Sequence, residues 1–333
     1  MAQPSSRSGI RSRLMRMIED GSGRAVGLGR VEWPTLLVAV AIYGGWFAAT
    51  WRHAQTPWPL RAVIGGWLLA WHGSLQHEVI HGHPTPWRRL NALIGAAPLS
   101  LWLPFERYRR SHLAHHATDR ITEPGADPET RYVPPPTTPL GRLRLVLARL
   151  QATLLGRMLL GPLVDVGRFF CAEAAAWAEA PGESFKVWAV HLLAAGLVLF
   201  WLAGVCRMSL VDYGLTFLFP GAALTLVRSF AEHRAHEDPA RRVAIVERAP
   251  VLGLLFLNNN LHAAHHARPG LAWYRLPELY RRERDAVLRA NGGLVYDGYR
   301  EVFARYLLHR HDDPVHPALA SARPSSGELR RRP

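Results

Sequence analysis

Residues Leu60–His81 read LRAVIGGWLLAWHGSLQHEVIH. Through residue 76 the only charge is Arg61, at the start. At about 1.5 Å per residue, such a run approaches the roughly 30 Å hydrocarbon core of a bilayer. It then continues without a break into His77-Glu78-Val79-Ile80-His81. Two imidazoles at i and i+4 share one face of a helix. An apolar run that ends in a candidate metal-ligand pair decides how the rest of the chain is read.

Outward from this stretch, the apolar sequence comes in pairs. Residues 34–51 carry no charge, and a short linker, Arg52 to Pro59, joins them to the quoted run. A second pair follows much later. Residues 187–205 are broken only by His191, Cys206-Arg207-Met208-Ser209 is a tight connection, and residues 210–227 carry Asp212 near the start and Pro220 inside. A kink is expected at that proline. Charge-free runs of this length are rare in soluble domains, so the runs read as two transmembrane hairpins. The expected fold is an all-α membrane protein with four transmembrane helices and a histidine-rich helical cap.

Two more histidine clusters lie downstream, His112-Leu113-Ala114-His115-His116 and, after Asn258-Asn259-Asn260, His262-Ala263-Ala264-His265-His266. Each puts three imidazoles on one helix face. The chain has 17 histidines in 333 residues. At that density an HxxHH arises by chance in roughly a few chains per hundred, and two arise far less often. Single residues such as His53, His191, His309, His311 and His316 are read as surface or core groups. The clusters are read as ligands. Imidazole suits Fe, Zn, Cu and Ni, and eight imidazoles are about right for two ions. Cys171 and Cys206 form no CxxC, so a thiolate site and a disulfide framework are both unsupported.

Net charge is +14, and Lys186 is the single lysine. The arginines flank the apolar runs, which favours a membrane surface and a cytoplasmic loop bias over nucleic acid. Arg-rich segments lie before the first run, after the second, before the third and after the fourth, while the tips 52–59 and 206–209 carry few charges. Both termini and the long middle segment are therefore expected in the cytoplasm, on the same side as every histidine cluster, in an inner membrane of bacterial type. Residues 1–30 read as a basic arm with a short surface helix near 10–19, residues 31–317 as the membrane domain, and residues 318–333 as a basic tail. Residues 90–105, interrupted by Pro98 and Pro104, read as re-entrant or interfacial; 119–140 as loop; 141–180 as one or two amphipathic helices on the membrane.

HExxH at 77–81 also matches the zinc-protease pattern, with Glu78 as general base. That reading leaves six clustered histidines unused. The order HxxxH, HxxHH, HxxHH between transmembrane hairpins resembles the membrane fatty-acid desaturase and hydroxylase superfamily, over about residues 34–285. The resemblance implies a di-iron centre at the cytoplasmic face, with O₂ as co-substrate. It carries over as ligands His77, His81, His112, His115, His116, His262, His265 and His266, and adds His233, just past the last span. Ser229 stands one turn earlier, where the family can carry a water-bridging Asn; His83 and His236 are candidate substitutes or supporting groups, and neither is counted among the direct ligands. Glu78, Glu123, Asp127, Glu232, Glu237, Asp238 and Asn258 are candidates to orient imidazole N–H bonds.

The implied reaction is oxygen-dependent desaturation of a hydrophobic alkyl chain, foremost a fatty acyl lipid. The same boxes serve hydroxylases and carotenoid ketolases. Leu75–Pro84 and Trp273–Pro277 look like a bacterial group that also includes a desaturase of a small metabolite, dihydrorhizobitoxine. No heme-binding His-Pro-Gly-Gly is present. Electrons are thus expected from a separate ferredoxin, rubredoxin or reductase, docked on the basic surface.

Overall fold

The structure, a computed structural model, describes residues 31–320. The arm expected over 1–30, with its surface helix, and the tail from 321 onward lie outside the described residues. Long helices form where the apolar runs stand. α1 is Trp33–Trp51 and α2 is Trp58–Ile80. Two short pieces follow, α3 (Arg88–Gly95) and α4 (Phe105–Ala117). Then come α5 (Pro139–Leu150), α6 (Leu154–Glu179), α7 (Pro181–Val205) and α8 (Leu210–Glu232).

Three of these, α1, α7 and α8, are long and apolar enough to cross a membrane. The expectation was four. α2 has the length, with 23 residues, but its last third carries His72, Gln76, His77 and Glu78, all buried. Those residues lower its apolarity because they serve the protein interior, not lipid. Residues 90–105 form the short α3 and an irregular segment rather than a span. Residues 119–138 have no helix, as expected of the loop, and 141–180 resolve into two helices. On α6, Leu155, Leu159, Leu163, Phe170 and Trp177 are exposed. Their spacing makes an apolar stripe along one flank.

α2 and α8 cross in close contact because both carry glycine there. A Cβ on Gly65 would lie 2.4 Å from the Thr216 carbonyl, one on Gly66 2.7 Å from Pro220 Cβ, and one on Gly221 2.5 Å from Leu69 Cβ. Small residues let backbones approach where lipid supplies no hydrophobic drive between helices. α8 meets this crossing through a widened, π-type turn at Gly214–Leu218, just before Pro220, which accommodates the missing N–H. Tyr213 joins three elements: it accepts from Trp46 Nε1 at 2.9 Å and donates to the Leu99 carbonyl at 2.8 Å. At the hairpin-tip end, Arg61 pairs with Asp212 at 3.0 Å.

Beyond α8 the chain forms a segment of short elements. It contains α9 (Pro250–Leu255), α10 (His262–Ala267), α11 (Leu276–Ala290) and α12 (Tyr299–Tyr306). The all-helical expectation needs one correction here. β1 (Ile245–Val246) and β2 (Val295–Tyr296) pair in parallel, with Ile245 opposite Val295 and Val246 opposite Tyr296. Two-residue strands show no alternation, so only long-range contact reveals them.

Candidate metal centre

Each histidine cluster sits at a helix end. α2 delivers His77 in its last turn, and His81 caps it. α4 carries His112, His115 and His116 in its C-terminal half. α10, with His262, His265 and His266, is only six residues long and is entered through Leu257 and Asn258, both at positive φ. Asn tolerates that conformation; Leu does so at a cost. His233 follows α8 in an extended conformation and bridges to Val243.

All nine histidines converge, in two groups. His77, His81, His112, His116 and His265 form one; His115, His233, His262 and His266 form the other. Within each group the candidate donor atoms lie within 4.8 Å of one another. The i, i+3, i+4 spacing divides each HxxHH between the groups. His115 and His116 go to different groups, as do His265 and His266. The groups touch where the His116 and His266 rings stack at 4.3 Å. His83 and His236 join neither: His83 bonds Glu32 at 2.7 Å, and His236 accepts from the Asp238 N–H at 2.9 Å.

Hydrogen bonds at the backs of the rings assign tautomers. Asp127 faces His115 Nδ1 at 2.8 Å, Glu129 faces His112 Nδ1 at 3.1 Å, and the Arg242 carbonyl faces His233 Nδ1 at 3.3 Å. Asn259 donates through Nδ2 to Glu232 at 2.9 Å, so its Oδ1, 3.1 Å from His262 Nδ1, must accept. Each of these imidazoles thus spends its N–H on Nδ1 and presents a bare Nε2 lone pair. Yet the Nε2 atoms of His262 and His233 face each other at 3.0 Å. Two lone pairs at that distance repel; a cation between them turns the repulsion into coordination. His77 Nε2 is likewise buried with no hydrogen-bond partner. The donor set therefore fits metal ions.

Electrostatics keep most of these rings neutral, the ligating form. Burial, reinforced by neighbouring imidazoles, holds His262, His265 and His266 far below the usual histidine range and pushes His233 down to about 3. His115 runs the other way. Burial lowers it, but the Asp127 hydrogen bond and nearby carboxylates raise it more.

Of the acids expected to orient imidazoles, Asp127 and Glu232 stand at the rings, and Glu78 Oε1 lies 3.5 Å from His77 Nδ1. The others go elsewhere. Glu123 binds Arg242 and Arg120, Glu237 and Asp238 lie exposed in the 237–241 loop, and Asn258 donates to the Trp273 carbonyl. Glu129 and Asn259 do the work instead. Arg242, fully buried, pins the 236–242 turn behind His233 by donating to the Ile121, His236 and Glu237 carbonyls. No local pattern marks Glu129 or Arg242; Asn259 alone carries a signal, an Asn triplet beside a histidine cluster. Ser229 turns its hydroxyl back to the Leu226 carbonyl at 3.4 Å. The protease reading finds no support, because Glu78 Oε2 accepts from the Trp273 N–H at 3.1 Å and lies behind His77, not across from its Nε2.

A cavity of about 630 Å³ opens against the second group. Its lining includes Tyr108, Asp127, Glu129, Glu232 and His233, together with the apolar Leu69, Trp102, Phe169 and Leu226. No curated protein matches the chain. The model of the fatty acid desaturase family matches residues 56–299, which takes in every element that brings a histidine to the two groups. Three helices fit to cross a membrane, two histidine groups and that match together make this chain a member of the fatty acid desaturase family, and hence a membrane oxidoreductase.

Proposed function

We propose that the chain is a di-iron enzyme that uses O₂ to introduce a double bond into an alkyl chain, a fatty acyl chain foremost. The observation that carries this reading is the set of Nε2 lone pairs turned toward one another, each fixed by an acceptor on its Nδ1. In this reading His77, His81, His112, His116 and His265 hold one iron, and His115, His233, His262 and His266 hold the other. Bound iron would supply the oxidant needed to take hydrogen from an unactivated C–H bond, which no side chain can do alone. The protein's own share is positional. Asp127, Glu129 and Asn259 lock three rings, and apolar walls from Leu69, Trp102, Phe169 and Leu226 hold an alkyl group beside His233 and shield it from water. Comparing lipids and small metabolites of cells with and without the gene tests the reaction. The expected result is loss of one unsaturated species and accumulation of its saturated partner; a missing alcohol instead would favour hydroxylation, and an unchanged profile opposes the reading.

The same proposal takes residues 31–317 as one membrane domain, with α2 as the fourth span and the cap in the cytoplasm of a bacterial inner membrane. The Arg61–Asp212 pair supports it by joining the starts of α2 and α8 at the end opposite the histidines. Reporter fusions near residues 55 and 207 should read periplasmic, and one near residue 130 cytoplasmic. A cytoplasmic signal at 55 would break this topology. Electrons would come from a separate ferredoxin, rubredoxin or reductase.

A further inference from the structure

The cavity beside His233 is more charged than an alkyl chain requires. Five arginines line it, Arg107, Arg131, Arg157, Arg168 and Arg228, together with the carboxylates of Asp127, Glu129, Asp165, Glu173, Glu232 and Asp312. Three of the arginines are matched. Arg107 pairs with Glu173 at 2.8 Å, Arg131 with Asp165, and Arg228 with Glu232 at 3.1 Å. Among the described residues no carboxylate lies at ion-pair distance from Arg157 or Arg168. Arg168 is exposed and gives one N–H to the Thr130 carbonyl at 2.9 Å. Arg157 is the less exposed of the two. It is half-buried, donates Nε to the Gln151 carbonyl at 3.1 Å, and lays its guanidinium over the Phe230 ring, 5.6 Å from the centroid. Its two terminal nitrogens find no acceptor among the described residues. Burial, with the Arg131 guanidinium nearby, pushes Arg157 down to about 10, and Asp165 and Asp312, beyond ion-pair distance, offset this only in part. A guanidinium held in a cavity without its anion is stabilised by any ligand that brings one.

We propose that Arg157 is the anchor for an anionic oxygen head, carboxylate or phosphate, on the molecule oxidised at the histidine groups. Phe230 lies three residues before His233, so the anchored head stands on the order of 10 Å from the second group, by the rise of one helical turn plus a side chain. The apolar walls then take the body of the ligand, while the planar fork of Arg157 takes the head. The inference rests on the reading of this cavity as the substrate chamber.

The test is equilibrium dialysis of radiolabelled decanoate, decyl phosphate and decanol against the full-length, iron-loaded protein in nanodiscs of zwitterionic lipid, with empty discs subtracted. At least one anion should bind about tenfold tighter than decanol, the size of one charge-assisted contact. Whichever anion binds tighter names the head. R157Q should lose about that factor for the anion and leave decanol unchanged, R157K should recover part of it, and R168Q should change anion binding less than about threefold. Iron content equal to the wild type shows that each variant is folded; if R157Q fails that check, R157K carries the comparison. Equal binding of decanol and both anions overturns the proposal, as does undiminished anion binding in the Arg157 variants, or an equal loss in R168Q. Oxidation is scored separately. An Arg157-dependent anion that is never oxidised counts against the desaturase reading and leaves the anion site standing; oxidation of alkyl chains without dependence on Arg157 does the reverse.

Discussion

Replacing His265 by alanine should abolish turnover and strip iron from the first histidine group. His265 is buried, its Nε2 lies 3.2 Å from that of His116, and its ring lies 4.6 Å from that of His77. Its place is a fixed one, because the α10 backbone is held by the Ala263 N–H to the Ala244 carbonyl and by Asn260 to Val246. Groups that only orient a ligand typically cost about 10- to 100-fold in metal affinity when removed, so loss of a ligand should cost at least about 100-fold in activity. Asn259→Ala, which frees the His262 ring without removing it, belongs at the lower end of that range. His191→Ala is the control. That histidine is also buried but bonds the Leu101 carbonyl far from both groups, and its loss should leave iron in place. Full iron and full activity in the His265 variant would end the di-iron reading.

The second large effect concerns the helix crossing rather than the ligands. Gly221→Leu should give little folded protein, and even Gly221→Ala should be destabilised by about 1–3 kcal/mol, the usual cost of forcing atoms into a packed contact. The clash is with Leu69 Cβ at 2.5 Å, which cannot rotate away, so the α2 and α8 backbones must part. Because α2 carries His77 in its last turn and α8 ends one residue before His233, parting them also separates the two histidine groups. Thermal unfolding and iron content in detergent should therefore fall together. Gly44→Ala on α1 meets nothing within 4 Å and should be tolerated, which separates crowding from a general intolerance of methyl groups in the helices. A Gly221→Leu protein as stable as the wild type would show that the crossing is not close.

How much of this was legible follows from how local each signal is. His112, His115 and His116 are spaced by one helical period, so the sequence alone puts them on one face. The apolar runs at 34–51, 187–205 and 210–227 announce themselves by length. α2 was legible as a helix, but its C-terminal third reads as polar because it belongs to the buried centre. What could not be read is the partition of each HxxHH between two groups, which depends on where α2, α8 and α10 meet. The same holds for Glu129, Asn259 and Arg242, whose partners lie 17, 27 and 121 residues away for His112, Glu232 and Ile121 respectively. The acids named from proximity in sequence, Glu237 and Asp238, fell on an exposed turn because nearness along the chain says little about what stands behind a ring.

Metal analysis of the purified wild-type protein decides whether the two histidine groups hold iron. Inductively coupled plasma measurement alongside Mössbauer spectroscopy should find about two irons per chain, in two histidine environments, since imidazole donors of this number suit two ions and not one. A single zinc per chain, or full activity with no iron bound, would contradict the di-iron reading.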